Sequence, residues 1–215
     1  MKPKILDLFC GAGGATKGLQ RAGFYVVGVD IKPQPHYCGD EFIQADALAV
    51  DLEGYDAYWA SPPCQGYSIS RSMQGTKGAE KLIPEVRQAL IQTDKPFILE
   101  NVPGAPLENA IELSGMSFGL KIIRRRWFEL HGFDVWMLPS PRIVHNYRAE
   151  GYLPYHHGTS KKRGHLPNIW TLQRLKEAMG IDWMQIKELT QAIPPAYSEF
   201  LGKQLMKYLE SLEVL

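Results

Sequence analysis

Charge of one sign is what this chain most lacks: 24 lysines and arginines nearly cancel 23 aspartates and glutamates, leaving a formal charge of +1. That balance argues against a protein that holds nucleic acid by bulk electrostatics alone, although the clusters at 124–126 and 161–163 can still touch phosphates. Cysteine is scarce as well, with Cys10, Cys38 and Cys64 the three present. They make no disulfide framework, so a reducing compartment, the cytoplasm, is expected. No apolar run is long enough to cross a bilayer, and the opening Met1-Lys2-Pro3-Lys4-Ile5-Leu6-Asp7 reads as a lead into a strand rather than a secretory signal. Internal repeats and low-complexity tracts are missing too. What remains is 215 residues, 45% of them hydrophobic, enough for one core with a small appendage.

The apolar residues that are present fall in short runs alternating with helix-like segments, the pattern of an α/β protein with a mostly parallel sheet covered on both faces. Strands are expected at 5–9, 25–29, 42–45, 57–60, 96–100 and 127–130, and helices at 15–22 and 80–93, with a shorter one at 107–113. From 132 to 168 the composition shifts to Pro, Gly, His, Tyr and basic residues without periodicity, which reads as a loop-rich insert. A final helical pair, 172–179 and 197–212, closes the chain, with Pro194 and Pro195 stiffening the entry to the last helix. Three regions result: 1–131, the insert 132–168, and 169–215. Along the last helix Tyr197, Phe200, Leu201, Leu205, Tyr208, Leu209 and Leu212 recur at helical spacing and read as core.

Chemistry concentrates where strands end. Ala60-Ser61-Pro62-Pro63-Cys64-Gln65 places a cysteine after two prolines just as the run 56–60 stops; the prolines end the ladder and aim the thiol from the carboxyl edge of the sheet. A lone cysteine is more often a small buried hydrophobe, so its company matters. Asp7-Leu8-Phe9-Cys10-Gly11-Ala12-Gly13-Gly14 is a strand, a glycine turn and a helix start, a shape that lets a ligand approach the backbone. Asp30 ends the next strand about 20 residues on, where a carboxylate suits ribose hydroxyls or simply a turn. The full G-x-G-x-x-G spacing is absent, which favours another adenosine-bearing ligand over a dinucleotide. Asp46 follows the third strand, placed to reach an adenine amino group or to cap a helix. Glu100, ending the run 97–99, is a carboxylate expensive to bury without a partner.

Phe9-x-Gly11-x-Gly13, then Pro62-Pro63-Cys64-Gln65, then Glu100-Asn101-Val102, in that order, resemble the motifs of the cytosine-5 DNA methyltransferases. The resemblance is good over the first 130 residues or so, and Gln191-Ala192-Ile193-Pro194-Pro195 resembles the family's closing motif. It implies a Rossmann-like S-adenosylmethionine-dependent fold, with cofactor contacts at Phe9, Cys10, Gly11, Gly13, Asp30, Ile31, Asp46, Ala47, Pro62, Gln191 and Ala192. It further implies a cytosine flipped out of DNA, attacked at carbon 6 by Cys64 and held at ring nitrogen 3 by Glu100. Arg126 would contact the base carbonyl, and Arg124 would position Cys64 or a phosphate. The segment 66–78 resembles the mobile active-site loop. Gln65, Ser68, Ser70, Arg71 and Lys77 would touch nucleic acid there, as would Lys161, Lys162 and Arg163, with Tyr147 and Arg148, in the insert.

Departures from the family pattern are Ser61 for glycine, Ile122 for glutamine and Gln191 for asparagine. The short insert leaves little room for target recognition, which implies short or relaxed sequence specificity or a partner protein, as in the small methylases of bacteriophages and prophages. The same chemistry on RNA or a free cytosine nucleotide, or a non-catalytic binding role, stays open at this point. His145, His156, His157 and His165 cluster in the insert without cysteine or zinc spacing, so no metal is expected.

Overall fold

The computed structural model describes residues 1–64, 81–136, 139 and 171–212. Seven strands form one sheet: β1 (Lys4–Leu8), β2 (Tyr25–Asp30), β3 (Glu41–Gln44), β4 (Ala57–Ala60), β5 (Phe97–Asn101), β6 (Ile111–Leu113) and β7 (Arg126–His131). The described α-helices are α1 (Gly14–Ala22), α2 (Ile83–Ile91), α3 (Leu172–Met179), α4 (Ile186–Gln191) and α5 (Pro195–Leu212), with a 3-10 turn at Gly115–Phe118. The strand order is β3-β2-β1-β4-β5-β7-β6. Pairing is parallel from β3 to β5, while β7 runs antiparallel to both its neighbours.

Strands β4 and β5 are buried along their whole length, as expected of a parallel sheet covered on both faces. On one face Trp59, Ile98, Phe128 and Tyr197 pack together beneath α1 and α5. On the other, Tyr58, Phe97 and Leu99 meet Val86 and Leu90 of α2. Helices α1 and α5 touch almost backbone to backbone. A Cβ on Gly18 would lie 2.1 Å from the Pro195 carbonyl oxygen and from Ser198 Oγ, and the buried Ser198 hydroxyl donates to the Ala15 carbonyl at 2.8 Å.

This order places the site. Chain connections leave β1 toward β2 on one side and arrive at β4 on the other, so the crevice beyond their carboxyl ends is the switch point at which open α/β sheets bind ligands. The register Leu8↔Val29, Leu8↔Ala60 and Ala60↔Leu99 brings the residues after β1, β2, β4 and β5 to one rim. Because β7 is antiparallel, pairing Asn101 with Trp127, its first residue Arg126 reaches the same rim.

Two sequence expectations are corrected. Residues 107–113 form no helix: Asn109 has φ 47, and Ile111–Leu113 is a strand on the free edge of β7. The pull is nonlocal, since the Glu108 N–H donates to Glu129 of β7 at 2.8 Å and the strand ladder follows. Leu212, the last residue of α5, is 49% exposed rather than core; Tyr197, Leu201 and Leu205 are buried as expected. Neither α4 nor β6 was anticipated.

Candidate active site

A cavity of about 560 Å³ opens along this rim. At its β1–β2 end the chain turns sharply after Leu8. Phe9 (φ 60) and Gly11 (φ 51) are both left-handed, a conformation costly for phenylalanine and typical of over-determined functional turns. The Gly11 N–H donates to Asp30 Oδ2 at 3.0 Å, and Asp30 Oδ1 accepts from the Lys32 N–H at 2.9 Å. The carboxylate therefore serves the turn and faces the cavity together. A Cβ on Gly11 would meet nothing within 4 Å, so the open space begins at the backbone itself.

Asp7, quoted in the first motif but given no role, also lines this end. It is wholly buried, with Oδ2 accepting from the Thr16 hydroxyl at 2.5 Å and Oδ1 left without a partner. Burial pushes its carboxyl up to about 7, against the Thr16 hydrogen bond. Its sequence signal was a carboxylate inside an apolar strand. The returning C-terminal segment closes the cavity. Gln191, Ala192 and Ile193 line it beside Lys187 and Glu188 of α4, and Trp183 Nε1 donates to the Ala12 carbonyl at 2.8 Å.

At the β4–β5–β7 end stand the ionisable groups. Cys64 follows Pro62 and Pro63 at the rim, half-buried. Asn101 Nδ2 donates to the Pro62 carbonyl at 2.9 Å while its Oδ1 accepts from the Val102 N–H, so the second and third motifs are tied to one another. Glu100 is buried and paired with Arg126, Nε to Oε1 at 3.0 Å. Burial raises the Glu100 carboxyl above its ordinary value, opposed by Arg126, by a hydrogen bond from Ser61 and by Arg124. Burial likewise raises the Cys64 thiol, with Glu100 adding to the effect and Arg126 and Arg124 opposing it. A nucleophile, a carboxyl able to hold a proton and a fixed cation thus meet in one partly desolvated space.

Arg124 is 2% exposed, with φ 31 and Nη2 donating to the Thr190 carbonyl at 3.2 Å. Tyr197 fixes its backbone through a hydrogen bond to the Arg124 carbonyl at 2.8 Å. Burial and the neighbouring Arg126 lower the Arg124 proton affinity well below its ordinary value, opposed by Glu100, Tyr197 and Cys64, and of the two roles weighed for this residue that burial disfavours the phosphate contact. Arg125 pairs with Glu112 at 3.6 Å on the strand edge, outside the cavity.

Of the residues singled out from sequence, Phe9, Cys10, Gly11, Asp30, Ile31, Pro62, Cys64, Glu100, Arg126, Gln191 and Ala192 line this cavity together. Gly13, Asp46, Ala47 and Arg124 do not. Gly13 is the left-handed N-cap of α1, packed against Cys38. Asp46 is exposed, with Oδ1 accepting from the Leu48 N–H at 3.0 Å, and Ala47 joins the core beside β2. Gln65, Ser68, Ser70, Arg71, Lys77, Tyr147, Arg148, Lys161, Lys162, Arg163 and the histidines at 145, 156, 157 and 165 lie outside the described residues. Among those described, no cluster of metal-ligating side chains forms and no helix is long and apolar enough to cross a membrane.

Sheet order and rim chemistry define a Rossmann-like methyltransferase fold. The chain is similar over 97% of its length to the whole of a DNA modification methyltransferase encoded within a prophage of E. coli (TM-score 0.67, 16% identity). It is similar over 99% of its length to 99% of the S. pombe Dnmt2 methyltransferase (TM-score 0.60, 15% identity). Residues 3–110, half of the chain, match the C-5 cytosine-specific DNA methylases, and the chain belongs to that family. It is 30% identical over 123 residues to the Type II methyltransferase M1.HphI of Haemophilus parahaemolyticus, a stretch that is 47% of this chain and 33% of that relative. With M.HgiDII of Herpetosiphon aurantiacus the identity is 32% over 117 residues, 46% of this chain and 32% of the relative. The chain thus matches about a third of the length of these curated relatives.

S-adenosylmethionine is the cofactor of such a methyltransferase, and the β1–β2 end fits it. The unpartnered Asp7 Oδ1 is a buried acceptor calling for a cationic donor, the space over Gly11 admits a ligand against the backbone, and Ile31, 65% exposed, offers an apolar platform at the cavity edge.

Proposed function

We propose that the protein transfers a methyl group from S-adenosylmethionine to carbon 5 of a cytosine flipped out of DNA, through a covalent adduct on Cys64. One observation carries the reading: Cys64 and the Glu100–Arg126 pair share a single cavity with the Gly11–Asp30 turn, so donor and acceptor sites open onto each other. The bound cofactor supplies an electrophilic methyl group; the remaining work falls to the chain. Asp7 and Asp30 hold its ammonium and ribose, and Ile31 its base.

Cys64 adds to carbon 6 as thiolate, which makes carbon 5 nucleophilic. Glu100, its proton affinity raised by burial, donates its proton to ring nitrogen 3, where the electron density pushed into the ring collects. Arg126, anchored on Glu100, reaches the base carbonyl. Loss of the carbon 5 proton to water with expulsion of the Cys64 thiolate, and return of the nitrogen 3 proton to Glu100, restore the aromatic ring. Arg124, from its buried seat, favours the thiolate electrostatically.

The prophage methyltransferase that is similar over the full chain and the short insert support a compact enzyme with short or relaxed sequence specificity, acting in the cytoplasm on DNA. The residues of 65–80 and 132–168 would supply most nucleic-acid contacts. Labelled methyl transfer to duplex DNA, single-stranded DNA, RNA and deoxycytidine nucleotide, run in parallel, tests the reading. Label in duplex DNA that Cys64→Ala abolishes is expected; label confined to RNA or nucleotide moves the substrate, and no transfer to any acceptor overturns the activity.

A further inference from the structure

We propose that Ser61, oriented by the indole of Trp59, is a positioning residue that holds the Glu100 carboxylate from the side opposite Arg126. The proposal rests on the reading that Glu100 meets the base. Trp59 is completely buried and its Nε1–H donates to Ser61 Oγ at 2.9 Å. An indole N–H walled in by Ile98 and Phe128 has no water to turn to, so it is a fixed donor. A serine hydroxyl has one proton. With a lone pair engaged by the indole, that proton is left for another acceptor.

The sheet supplies that acceptor. Strand β5 lies between β4 and β7, and the register Trp59↔Ile98, Ala60↔Leu99 continues to set Ser61 beside Glu100. The Ser61 N–H donates to the Leu8 carbonyl at 3.1 Å, so its backbone is still held by the sheet although β4 has formally ended. Both Ser61 and Glu100 line the cavity. Arg126 approaches the carboxylate from β7 at 3.0 Å, and the parallel register sets the Ser61 hydroxyl on its β4 side. Held from both neighbouring strands, the carboxyl keeps one fixed orientation at the rim in its pairing with Arg126. A glycine at this position, usual in the family this chain resembles, would leave the Trp59 N–H buried without an acceptor. The serine resolves that and adds a contact to the catalytic carboxylate.

The hydroxyl favours the charged form of Glu100, so removing it raises the carboxyl's proton affinity. The other groups acting on Glu100 are Arg126 and Arg124 from the β7 side, Cys64 after β4, Asp7 of β1 and Tyr197 of α5; Ser61→Ala leaves all of these in place. The test titrates Glu100 directly in the full chain, by carboxyl-carbon NMR of glutamate-labelled protein assigned with Glu100→Gln. Wild type is compared with Ser61→Ala, Ser61→Gly and Ser61→Thr, the fold of each checked by thermal unfolding. Alanine and glycine are expected to raise the Glu100 midpoint by about 0.5 unit or more, and threonine, which keeps the hydroxyl, to restore it.

In methyl transfer, Ser61→Ala is expected to lower kcat roughly 10-fold with cofactor KM little changed, and to move the alkaline limb of the pH profile upward. A Glu100 midpoint unmoved by alanine overturns the proposal, as does an equal shift in alanine and threonine, which would report a backbone disturbance. A midpoint that moves as expected in a protein that transfers no methyl group supports the hold on Glu100 while overturning the functional reading.

Discussion

At the β1–β2 end of the cavity the ligand-facing groups are main chain in left-handed turns with two carboxylates behind them. At the β4–β5–β7 end they are a thiol beside a paired carboxyl and guanidinium, all lining one cavity. The first end selects by shape and by the absence of side chains. The second selects by charge in a desolvated space, where each group changes the proton affinity of the next. Substitutions should therefore separate them: cofactor binding fails at the first end with chemistry intact in principle, and chemistry fails at the second with binding preserved.

Cys64→Ala gives the largest separation. Transfer is expected to fall ~10³-fold or more, with cofactor affinity within about twofold of wild type by calorimetry and stability changed by less than ~1 kcal/mol, since the side chain is only half-buried. A comparable loss of cofactor affinity would show that the two ends are not separable.

Glycines sharpen the first end next. Gly18→Ala forces a methyl group to within 2.1 Å of Pro195 and Ser198 and is expected to cost ~3 kcal/mol of stability in denaturant unfolding, because neither backbone can retreat. Gly11→Ala meets open space, costs only about 1 kcal/mol for the left-handed backbone, and is expected to weaken the cofactor roughly 10-fold by projecting into its seat. Equal effects on folding from both would remove the distinction between packing glycine and ligand glycine.

How much of this was legible beforehand follows the same division. Buried parallel strands carry near-continuous apolar runs, so β1, β2, β4 and β5 declared themselves to within a residue or two, and the groups that follow them came with them. Edge strand β6 did not, because what makes Ile111–Leu113 a strand is its pairing with β7 and not its own composition. Helix α4 has six residues, too few for a periodic signal, yet it brings Lys187 and Glu188 to the cavity. Asp7 was visible as a residue but not as a buried acceptor, since an unpartnered oxygen is a property of packing. Ser61 was visible only as a departure; its partner Trp59 is two residues away on the same strand face.

Asp7 offers a pH test centred on the first end. Its ordinary value is 3.8 and its folded value about 7, so the folded chain binds the proton more tightly than the unfolded one. Stability should fall as pH rises between those values, by roughly 1.4 kcal/mol for each unit of the gap, and stay level above it. Asp7→Asn is expected to flatten that slope in urea titrations across the range. Cofactor binding should show the opposite trend in the wild type, strengthening as pH rises through 7 because the ionised carboxylate meets a cation. A wild-type affinity that does not change with pH would remove Asp7 from the cofactor seat.

The smallest expected effect lies on the rim that joins the first end to the C-terminal segment. His36 Nδ1 and Glu188 Oε1 are 2.8 Å apart, linking the loop after β2 to α4, and the same Glu188 carboxylate accepts from the Gln185 N–H at 2.6 Å in the helix cap. Gln34 and Lys32 of that loop and Lys187 and Glu188 of the helix line the cavity, so the pair ties two of its walls together. Both side chains keep solvent contact, 40% and 20% exposed, which limits the pair to under ~1 kcal/mol of stability. His36→Ala is therefore expected to leave unfolding almost unchanged and to raise the cofactor dissociation rate about two- to fivefold in stopped-flow fluorescence, with the Cys64 end unaffected once cofactor saturates. Glu188→Gln breaks the cap as well and should loosen the mouth further. If His36→Ala instead lowers kcat at saturating cofactor, the rim reaches the chemistry and the two ends are coupled through α4 and the Arg124–Thr190 contact behind it.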